Sequence, residues 1–437
     1  MEPTKRLLAI AAAVSLFTTG AMAQTKLTIA TVNNGDMIRM QGLTADFTAK
    51  NPGITLEWVT LEENVLRQRV TTDIATKSGQ FDVLTIGTYE VPIWAKRGWL
   101  VALDGLGADY DVDDLIPAIR SGLSEGGKLF ASPFYGESSM VMYRTDLMDK
   151  AGLKMPDAPT WQFVGEAARK MTDKANGVYG VCLRGKAGWG ENMAFLTATS
   201  NSFGARWFDE QWKPQFDQPE WKATLDFYVN LMRDAGPPGA SSNGFNENLA
   251  LFNSGKCGMW IDATVAASFV TNPKDSQVAT KVGFALAPDN GLGKRGNWLW
   301  AWSLAVPAGS KKSAEAQKFI SWATSKSYGN LVAAKEGWAN VPPGTRTSLY
   351  ANAEYAKVPF AKMTLDSINA ADPAKPSVKP VPYVGVQFVA IPEFQGLATN
   401  IGQIFSQTLS GGVTVDAALK QAQEISTREM TRAGYIK

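Results

Sequence analysis

Polar side chains that could bind a ligand follow three predicted strands near the start of the chain. The three loops are Asn33-Asn34-Gly35-Asp36, Leu61-Glu62-Glu63 and Gly87-Thr88-Tyr89-Glu90. Carboxylates, amides and a phenol exchange hydrogen bonds with polar ligands, and ligands of open parallel sheets bind beyond the carboxyl ends of the strands. We therefore expect these loops to face a binding cleft. The alternative is that they are solvated turns with helix caps, in which Asp36 only caps a helix.

The composition favours binding over catalysis. The 437 residues include no histidine, which excludes Ser-His-Asp and Cys-His catalysis and His-ligated metals. Aromatic residues are abundant, with 14 Trp, 20 Phe and 11 Tyr, and the formal net charge is only +2. No basic block is present, so nucleic acid is not expected as a partner. The sequence predicts no catalytic residue, metal or cofactor.

The elements that position the three loops alternate between strand and helix. Strands are predicted over 26–32, 54–58 and 81–86, with helices beginning near Asp36 and spanning Asn64–Lys77. This βαβ rhythm predicts parallel strands and a doubly wound α/β sheet. A chain of this length predicts two to three domains of about 150 residues each.

The rest of the chain predicts a second α/β body. Strands are predicted over 179–183, 257–261 and 299–306. Helices are predicted after a Thr160 cap, over 221–232, near Ser313 and from Thr414. Five prolines within 372–392 predict an extended linker.

The first 23 residues have the pattern of a secretory signal peptide. Lys5 and Arg6 precede an apolar run from Leu7 to Phe17, and Ala21-Met22-Ala23 forms an A-x-A cleavage site. The apolar run is too short to cross a bilayer core as a helix. We expect a mature chain that begins at Gln24 and is soluble in the periplasm; the alternative is a buried N-terminal helix.

The two cysteines leave two possibilities open. An oxidising compartment permits a disulfide between Cys182 and Cys257. Two buried free thiols are equally consistent, because unpaired Cys packs as a small apolar residue. Neither cysteine lies in a C-x-x-C motif, so redox chemistry and metal binding are not expected.

Five motifs, in order along the chain, resemble those of one protein family. They are SGQFDV (78–83), AKRGWLVALD (95–104), MYRTDL with AGL and APTW (142–161), FNSGKCGM (252–259) and TVDAAL (414–419). Through them the chain resembles the solute-binding proteins of ABC-type carbohydrate importers, the maltose-binding-protein-like group. Within that group, LTIATVNNGDMIRMQ (27–41) and WVTLEENVLRQRV (58–70) are similar to segments of the polyol binders of proteobacteria, which take sorbitol or mannitol.

The resemblance implies a two-lobed periplasmic binding protein fold of the α/β class. Doubly wound sheets would be joined by crossing hinge strands and would close on a ligand in the cleft. Carried onto this chain, the first lobe covers 24–134 with 303–345, and the second covers 135–302 with 346–437. The resemblance also implies an ABC-type membrane permease as the partner, and we expect a monomer.

A polyol site must satisfy many hydroxyl groups. Each hydroxyl donates one hydrogen bond and accepts two, and burying one without partners costs about 1–3 kcal/mol. Carboxylates accept from hydroxyls, Arg donates in a fork, and Trp covers C–H groups. The resulting ligand-binding candidates are Asn34, Asp36, Glu62, Thr88, Tyr89, Tyr135, Glu137, Arg184, Trp189, Asp262, Trp300 and Arg346.

Some of these candidates have more support than others. Asp262 ends a predicted buried strand, where a carboxylate requires a partner. Trp300 lies on a strand that is expected to cross between the lobes. For Arg346, a solvated position in an exposed turn is the alternative. Trp260, Trp298 and Trp338 are further candidates for the apolar wall of the cleft. Most tryptophans in any chain belong to the core, so we expect only some of these to reach the ligand.

Two other functions remain as alternatives. One keeps the transport role with a mono- or disaccharide as ligand. The other is a secreted glycoside hydrolase, which would also show cleft tryptophans and paired carboxylates. Glu62 and Glu63 are adjacent, so their side chains tend to point apart, and no hydrolase motif is found. The sequence therefore favours a binding protein over an enzyme.

Overall fold

A computed structural model describes residues 24–437, so the signal peptide predicted at 1–23 lies outside the described residues. The strands are β1 (Thr25–Val32), β2 (Ile54–Leu61), β3 (Val83–Gly87), β4 (Ser124–Glu125), β5 (Lys128–Leu129), β6 (Ala131–Glu137), β7 (Ser139–Arg144), β8 (Met259–Ala263), β9 (Val282–Leu286) and β10 (Trp300–Ala305). The helices are α1 (Gly35–Lys50), α2 (Glu63–Thr76), α3 (Glu90–Lys96), α4 (Pro117–Gly122), α5 (Thr145–Lys150), α6 (Trp161–Met171), α7 (Asn192–Ser202), α8 (Pro219–Ala235), α9 (Phe245–Asn253), α10 (Ala267–Val270), α11 (Ser313–Ala323), α12 (Lys326–Glu336), α13 (Thr347–Ala351), α14 (Ala361–Asn369), α15 (Phe394–Leu409) and α16 (Val415–Arg432). Within 24–437, no helix is both long and apolar enough to cross a membrane.

The first lobe is built on a five-stranded sheet in the order β2-β1-β3-β10-β6. β1 is parallel to β2 and β3, as the βαβ rhythm predicts. All five residues of β3 are buried, because helices cover a parallel sheet on both faces. β10 runs antiparallel to both β3 and β6, since it enters this sheet from the second lobe.

The second lobe contains a three-stranded sheet in the order β8-β7-β9, and it is antiparallel throughout. It therefore differs from the doubly wound sheet expected there. The strand predicted over 179–183 forms only isolated parallel pairs, Tyr179 with Cys257 and Cys182 with Trp260. Cys182 and Cys257 are joined by a disulfide, which decides between the two possibilities that the sequence left open.

The chain passes between the lobes at neighbouring positions. β6 ends in the first sheet at Glu137 and β7 begins in the second at Ser139. β10 returns beside β6, and their pairing extends along the whole of both strands. At the third connection, the Gly136 amide donates to the Pro343 carbonyl over 2.8 Å. These three connections therefore lie side by side and form one compact hinge region.

Helix starts show how far local pattern determines structure. The Thr160 hydroxyl caps α6, as predicted, and the Thr414 hydroxyl caps α16 at the predicted start of that helix. Asp36 does not cap α1. The cap is Asn34, which has extended backbone angles and accepts from the Met37 amide at 3.0 Å. Asp36 lies in the first turn of the helix, where acidic residues complement the helix dipole.

The proline-rich segment 372–392 has no helix or strand, yet it is not a free linker. Tyr383, Phe388 and Ile391 are buried in it. Gln387 exchanges two hydrogen bonds with the backbone of Leu299, donating at 2.9 Å and accepting at 3.3 Å. The segment is therefore packed against the connection that leads into β10.

The hinge depends on a close contact between two glycines, which gives a test of the fold. Gly344 has φ +68°, and a Cβ there would lie 2.0 Å from the Gly136 carbonyl oxygen. We expect Gly344→Ala to lower the free energy of unfolding by at least about 2 kcal/mol, through left-handed strain and displacement of β6. Urea denaturation measures this loss.

Gly42→Ala is the matched control for this substitution. Gly42 is exposed within α1 and has no atom within 4 Å of a Cβ. Alanine should stabilise this position by up to about 1 kcal/mol, because it favours the helix. An equal loss of stability in both variants would contradict the role of the hinge contact.

Candidate functional site

A cavity lies where β6 and β10 cross between the lobes. Both lobes contribute side chains to its wall. Seven of the twelve candidate residues line it: Asn34, Glu62, Tyr135, Glu137, Arg184, Trp189 and Trp300.

The first lobe contributes the carboxyl ends of β1 and β2. Asn34 donates through Nδ2 to the Tyr135 hydroxyl at 3.0 Å while its Oδ1 caps α1. Glu62 caps α2 with one carboxylate oxygen. Its other oxygen accepts from Lys186 of the second lobe at 2.7 Å. The strand-end loops therefore face the cavity and also cap helices, so both interpretations of these loops apply to the same residues.

Arg67 is a buried cation beside these loops that the sequence reasoning missed. Its Nη2 donates to Glu63 at 2.8 Å and its Nη1 donates to Glu90 at 2.9 Å. The guanidinium carbon lies 3.9 Å from the ring centroid of Trp189 and 4.5 Å from that of Trp302. Spacing could have indicated it, because Arg67 follows Glu63 by four residues on α2, where two side chains meet.

Arg184 is the corresponding buried cation of the second lobe. It donates to Asp262 through Nη2 at 2.7 Å and through Nε at 2.9 Å, a forked pairing. Its Nη1 donates to the Gly190 carbonyl at 2.8 Å. Asp262 also accepts from the Trp260 indole and from the Ala263 amide. The guanidinium is therefore oriented before any ligand arrives.

Asp262 does not line the cavity, contrary to expectation. Its side chain is fully buried, and its oxygens are occupied by Arg184, Trp260 and Ala263. It lies on β8 behind Arg184 and would act on a ligand only through that side chain. The burial of this carboxylate is explained by its pairing with a neighbouring cation and not by contact with a ligand.

Tryptophans form much of the apolar wall. Trp189 and Trp300 pack edge to face with ring centroids 5.7 Å apart, and Trp300 and Trp302 do so at 5.5 Å. Trp298 also lines the cavity. Trp302 was missed, although it follows Trp300 by two residues in a strand and so shares its face.

Trp260 and Trp338, the two other tryptophans proposed for the wall, do not line the cavity. Trp260 donates to Asp262 and packs on Phe245 with ring centroids 5.3 Å apart, behind the wall. Trp338 borders a different cavity, beside α12.

Asp36 and Arg346 do not line this cavity, and each is bound by other protein groups. Asp36 is paired with Arg39 at 2.6 Å, and Arg39 also binds Glu336 at 2.7 Å. Arg346 donates to the Asp111 carbonyl at 3.0 Å. Arg346 is buried and borders the cavity beside α12, so it is not a solvated turn residue.

Thr88 and Tyr89 follow β3 but also point away from the cavity. Tyr89 donates its hydroxyl to the Ile391 carbonyl at 3.0 Å, and its ring packs behind Trp189 with centroids 4.9 Å apart. Thr88 borders a groove on the far side of the 372–392 segment. The third strand-end loop therefore supports the wall from behind.

Most other lining residues carried no recognisable sequence pattern. They come largely from two places, the irregular segment 183–191 and the first turn of α9. The polar and aromatic residues missed are Asn33, Glu63, Arg67, Lys186, Glu191, Phe245, Asn246, Glu247, Trp302 and Gln387. Glu62 and Glu63 both line the cavity, although adjacent side chains were expected to point apart.

Burial changes the protonation of two carboxyl groups. Glu137 is 6% exposed and, among the described residues, takes part in no ion pair, because Arg184 is already bound to Asp262 and Glu191. Burial raises the pKa of Glu137 well above its usual range, and the partly compensating charge of Arg184 does not reverse this. Burial likewise raises the pKa of Glu191 to about 8. A neutral carboxyl can donate as well as accept a hydrogen bond.

Two α/β lobes joined by crossing strands, with a polar and tryptophan-lined cavity between them, define a ligand-binding protein of the two-lobed type. Residues 34–330 match the family model described as bacterial extracellular solute-binding protein. The chain belongs to this family.

Two similar proteins cover nearly the whole chain. The mannitol-binding protein of Pseudomonas aeruginosa is 58% identical over 411 residues, which are 94% of each chain. The crystal structure of an ABC transporter solute-binding protein from Agrobacterium vitis S4, with bound D-mannitol, is 75% identical, with a TM-score of 0.94 over 94% of this chain and 100% of that one. A more distant structure, from Agrobacterium radiobacter K84 in complex with ribitol, is 24% identical over 93% of this chain and 99% of that one, and has the same fold with a TM-score of 0.82.

The raised pKa of Glu137 predicts how stability depends on pH. Because the folded chain holds this proton more tightly than the unfolded chain, the stabilising contribution is complete below the usual carboxyl pKa of about 4.3 and is lost as the pH rises. From about pH 5 upwards, the free energy of unfolding of the wild type should fall relative to that of Glu137→Gln. Urea denaturation across this range measures the difference.

Glu57→Gln provides a control of opposite sign. Hydrogen bonding and ion pairing with Lys26 lower the pKa of Glu57, so its contribution is lost as the pH falls. This variant should diverge from the wild type only towards acid pH. A constant difference between wild type and Glu137→Gln would mean that Glu137 is ionised in the folded protein.

Proposed function

We propose that this chain is the extracytoplasmic solute-binding component of an ABC importer. It binds a sugar alcohol, mannitol or sorbitol, in the cavity between its lobes and delivers it to a membrane permease. The observation that carries the proposal is the cavity itself, where buried charged and amide groups surround a tryptophan wall. The D-mannitol bound to the protein of A. vitis, at 75% identity, supports the choice of ligand.

The lining side chains suit a hydroxyl-rich ligand. Arg184 would donate to ligand hydroxyls, and Glu62 would accept from them. Asn34 and a neutral Glu137 would do both. Tyr135, Trp189 and Trp300 would cover the C–H groups, with Asp262 as a positioning residue behind Arg184.

Closure of the two lobes would complete the site. We infer a first lobe of 24–134 with 303–345 and a second of 135–302 with 346–437. Three contacts join them across the cavity mouth: Glu62 with Lys186 at 2.7 Å, Asn246 with the Asn33 carbonyl at 3.1 Å, and Asn64 with the Ala187 carbonyl at 3.2 Å. Ligand would favour this arrangement by the difference in its affinity for the closed and open states.

The remaining parts of the proposal follow from the family. The protein acts without catalysis, as a monomer in the periplasm, after removal of a signal peptide at 1–23. Its carboxylates support binding because Glu63 and Asp262 are bound to arginines and are not positioned as an acid and base pair.

One observation favours a second ligand class. Four tryptophans line the cavity, and a pyranose ring offers a broad apolar face to such side chains. A mono- or disaccharide is therefore the alternative ligand for the same transport role.

We expect mannitol to bind more tightly than glucose or maltose. A site built to pair hydroxyls discriminates against a ligand that leaves its polar groups unpaired. Calorimetry and thermal shift measure this, since ligand at about 1,000-fold over Kd adds about 4 kcal/mol to stability. Tighter binding of maltose than of mannitol would favour the saccharide alternative, and turnover of chromogenic glycosides would show an enzyme.

We expect Lys186→Met to weaken mannitol binding about two- to fivefold, because a partly exposed ion pair across the cavity mouth is worth about 0.5–1 kcal/mol. The difference from wild type should shrink as salt is raised, because added ions screen the pair. Lys222→Met is the control, since Lys222 pairs with Asp416 and Asp226 away from the cavity. A loss that is independent of salt would indicate instead that Lys186 acts by contacting the ligand.

A further inference from the structure

The irregular segment Leu183–Glu191 supplies a large part of the cavity wall. It contains no helix or strand. Five of its nine residues line the cavity: Arg184, Lys186, Trp189, Gly190 and Glu191. The segment forms no ladder of its own. Hydrogen bonds from the Gly185 and Lys186 amides to the Asn243 carbonyl hold its middle, and the stretch that precedes it holds its start.

The anchor is the stretch 179–182, which runs beside the approach to β8. The Gly258 amide donates to the Tyr179 carbonyl at 2.7 Å, and the Cys182 amide donates to the Met259 carbonyl at 2.8 Å. The Cys182–Cys257 disulfide joins these same two stretches covalently, with both cysteines fully buried. Four backbone hydrogen bonds join residues 179–182 to residues 256–259, and the disulfide adds a covalent restraint on their relative position.

The same two stretches carry the two halves of the Arg184 site. Arg184 follows Cys182 by two residues, and Asp262 follows Cys257 by five. Their forked pairing requires that two nitrogens meet two oxygens at once, at 2.7 Å and 2.9 Å. A slip of either stretch would break this geometry and move Arg184 relative to the cavity.

We propose that the Cys182–Cys257 disulfide is a positioning element of the ligand site, which holds Arg184 and the segment that follows it in register with Asp262. This inference rests on the proposed function, because it concerns affinity for the same ligand. A disulfide that served stability alone would act mainly on the unfolded chain. It would leave the affinity of the folded protein unchanged at temperatures well below unfolding.

The test compares affinity with stability in the full chain. Two double variants remove the disulfide: Cys182→Ala/Cys257→Ala and Cys182→Val/Cys257→Ala. Calorimetry with mannitol at about 25 °C should show a Kd at least about tenfold higher than that of the wild type, which is a loss of about 1.4 kcal/mol of binding free energy. Leu419→Ala, in α16, is the matched control. It lowers the melting temperature by opening a cavity far from the site and should leave the Kd unchanged.

A second readout does not depend on the ligand. Hydrogen exchange of amides in 183–191 should accelerate in both cysteine variants, while peptides of β1 and α1 remain protected as in the wild type. If the wild type does not bind mannitol, the proposed function fails, and exchange alone decides the positioning role. Folded variants with wild-type Kd or wild-type exchange in 183–191 would overturn the inference, and so would variants that cannot fold.

Discussion

Buried positive charge is the constraint on which this site depends. Arg67 and Arg184 are each about 95% buried, and an uncompensated guanidinium at such a position is strongly unfavourable. Each is therefore bound by carboxylates: Arg67 by Glu63 and Glu90, Arg184 by Asp262 and Glu191. Removing one carboxylate would leave its arginine unpaired, so the acids of the site are required by the cations before any ligand is considered.

This constraint separates the carboxylates into two groups. Those that neutralise arginine have little capacity left for a ligand, and Asp262 is the extreme case because all its partners are protein groups. Glu137 has no cation of its own, and burial raises its pKa so that it becomes neutral. Such a group can pair with a hydroxyl in either direction. The acid that lacks an ion pair is thus the one best suited to a polyol.

The hinge strands supply the floor of the cavity through their register. In the antiparallel pairing of β6 and β10, Trp300 lies opposite Glu137 and Trp302 lies opposite Tyr135. Directly opposed side chains on one face of a sheet are in contact. Two tryptophans, a phenol and a carboxyl are therefore brought together at the place where the chain crosses between lobes. The strands that connect the lobes also carry part of the binding surface.

The sequence alone determined the features that depend on neighbours along the chain. Alternation and periodicity placed β1, β2, β3 and the helices between them, and the polar strand ends placed Asn34 and Glu62 at the cleft. Thr160 was predicted as a helix cap and Thr414 as a helix start. Tertiary structure decided the rest: the disulfide, the position of Asp262 behind Arg184, the distant partners of Arg346, and the wall formed by 183–191. The reason is physical, because each of these depends on which buried charge or thiol meets a partner far away in sequence, and local patterns do not encode that pairing.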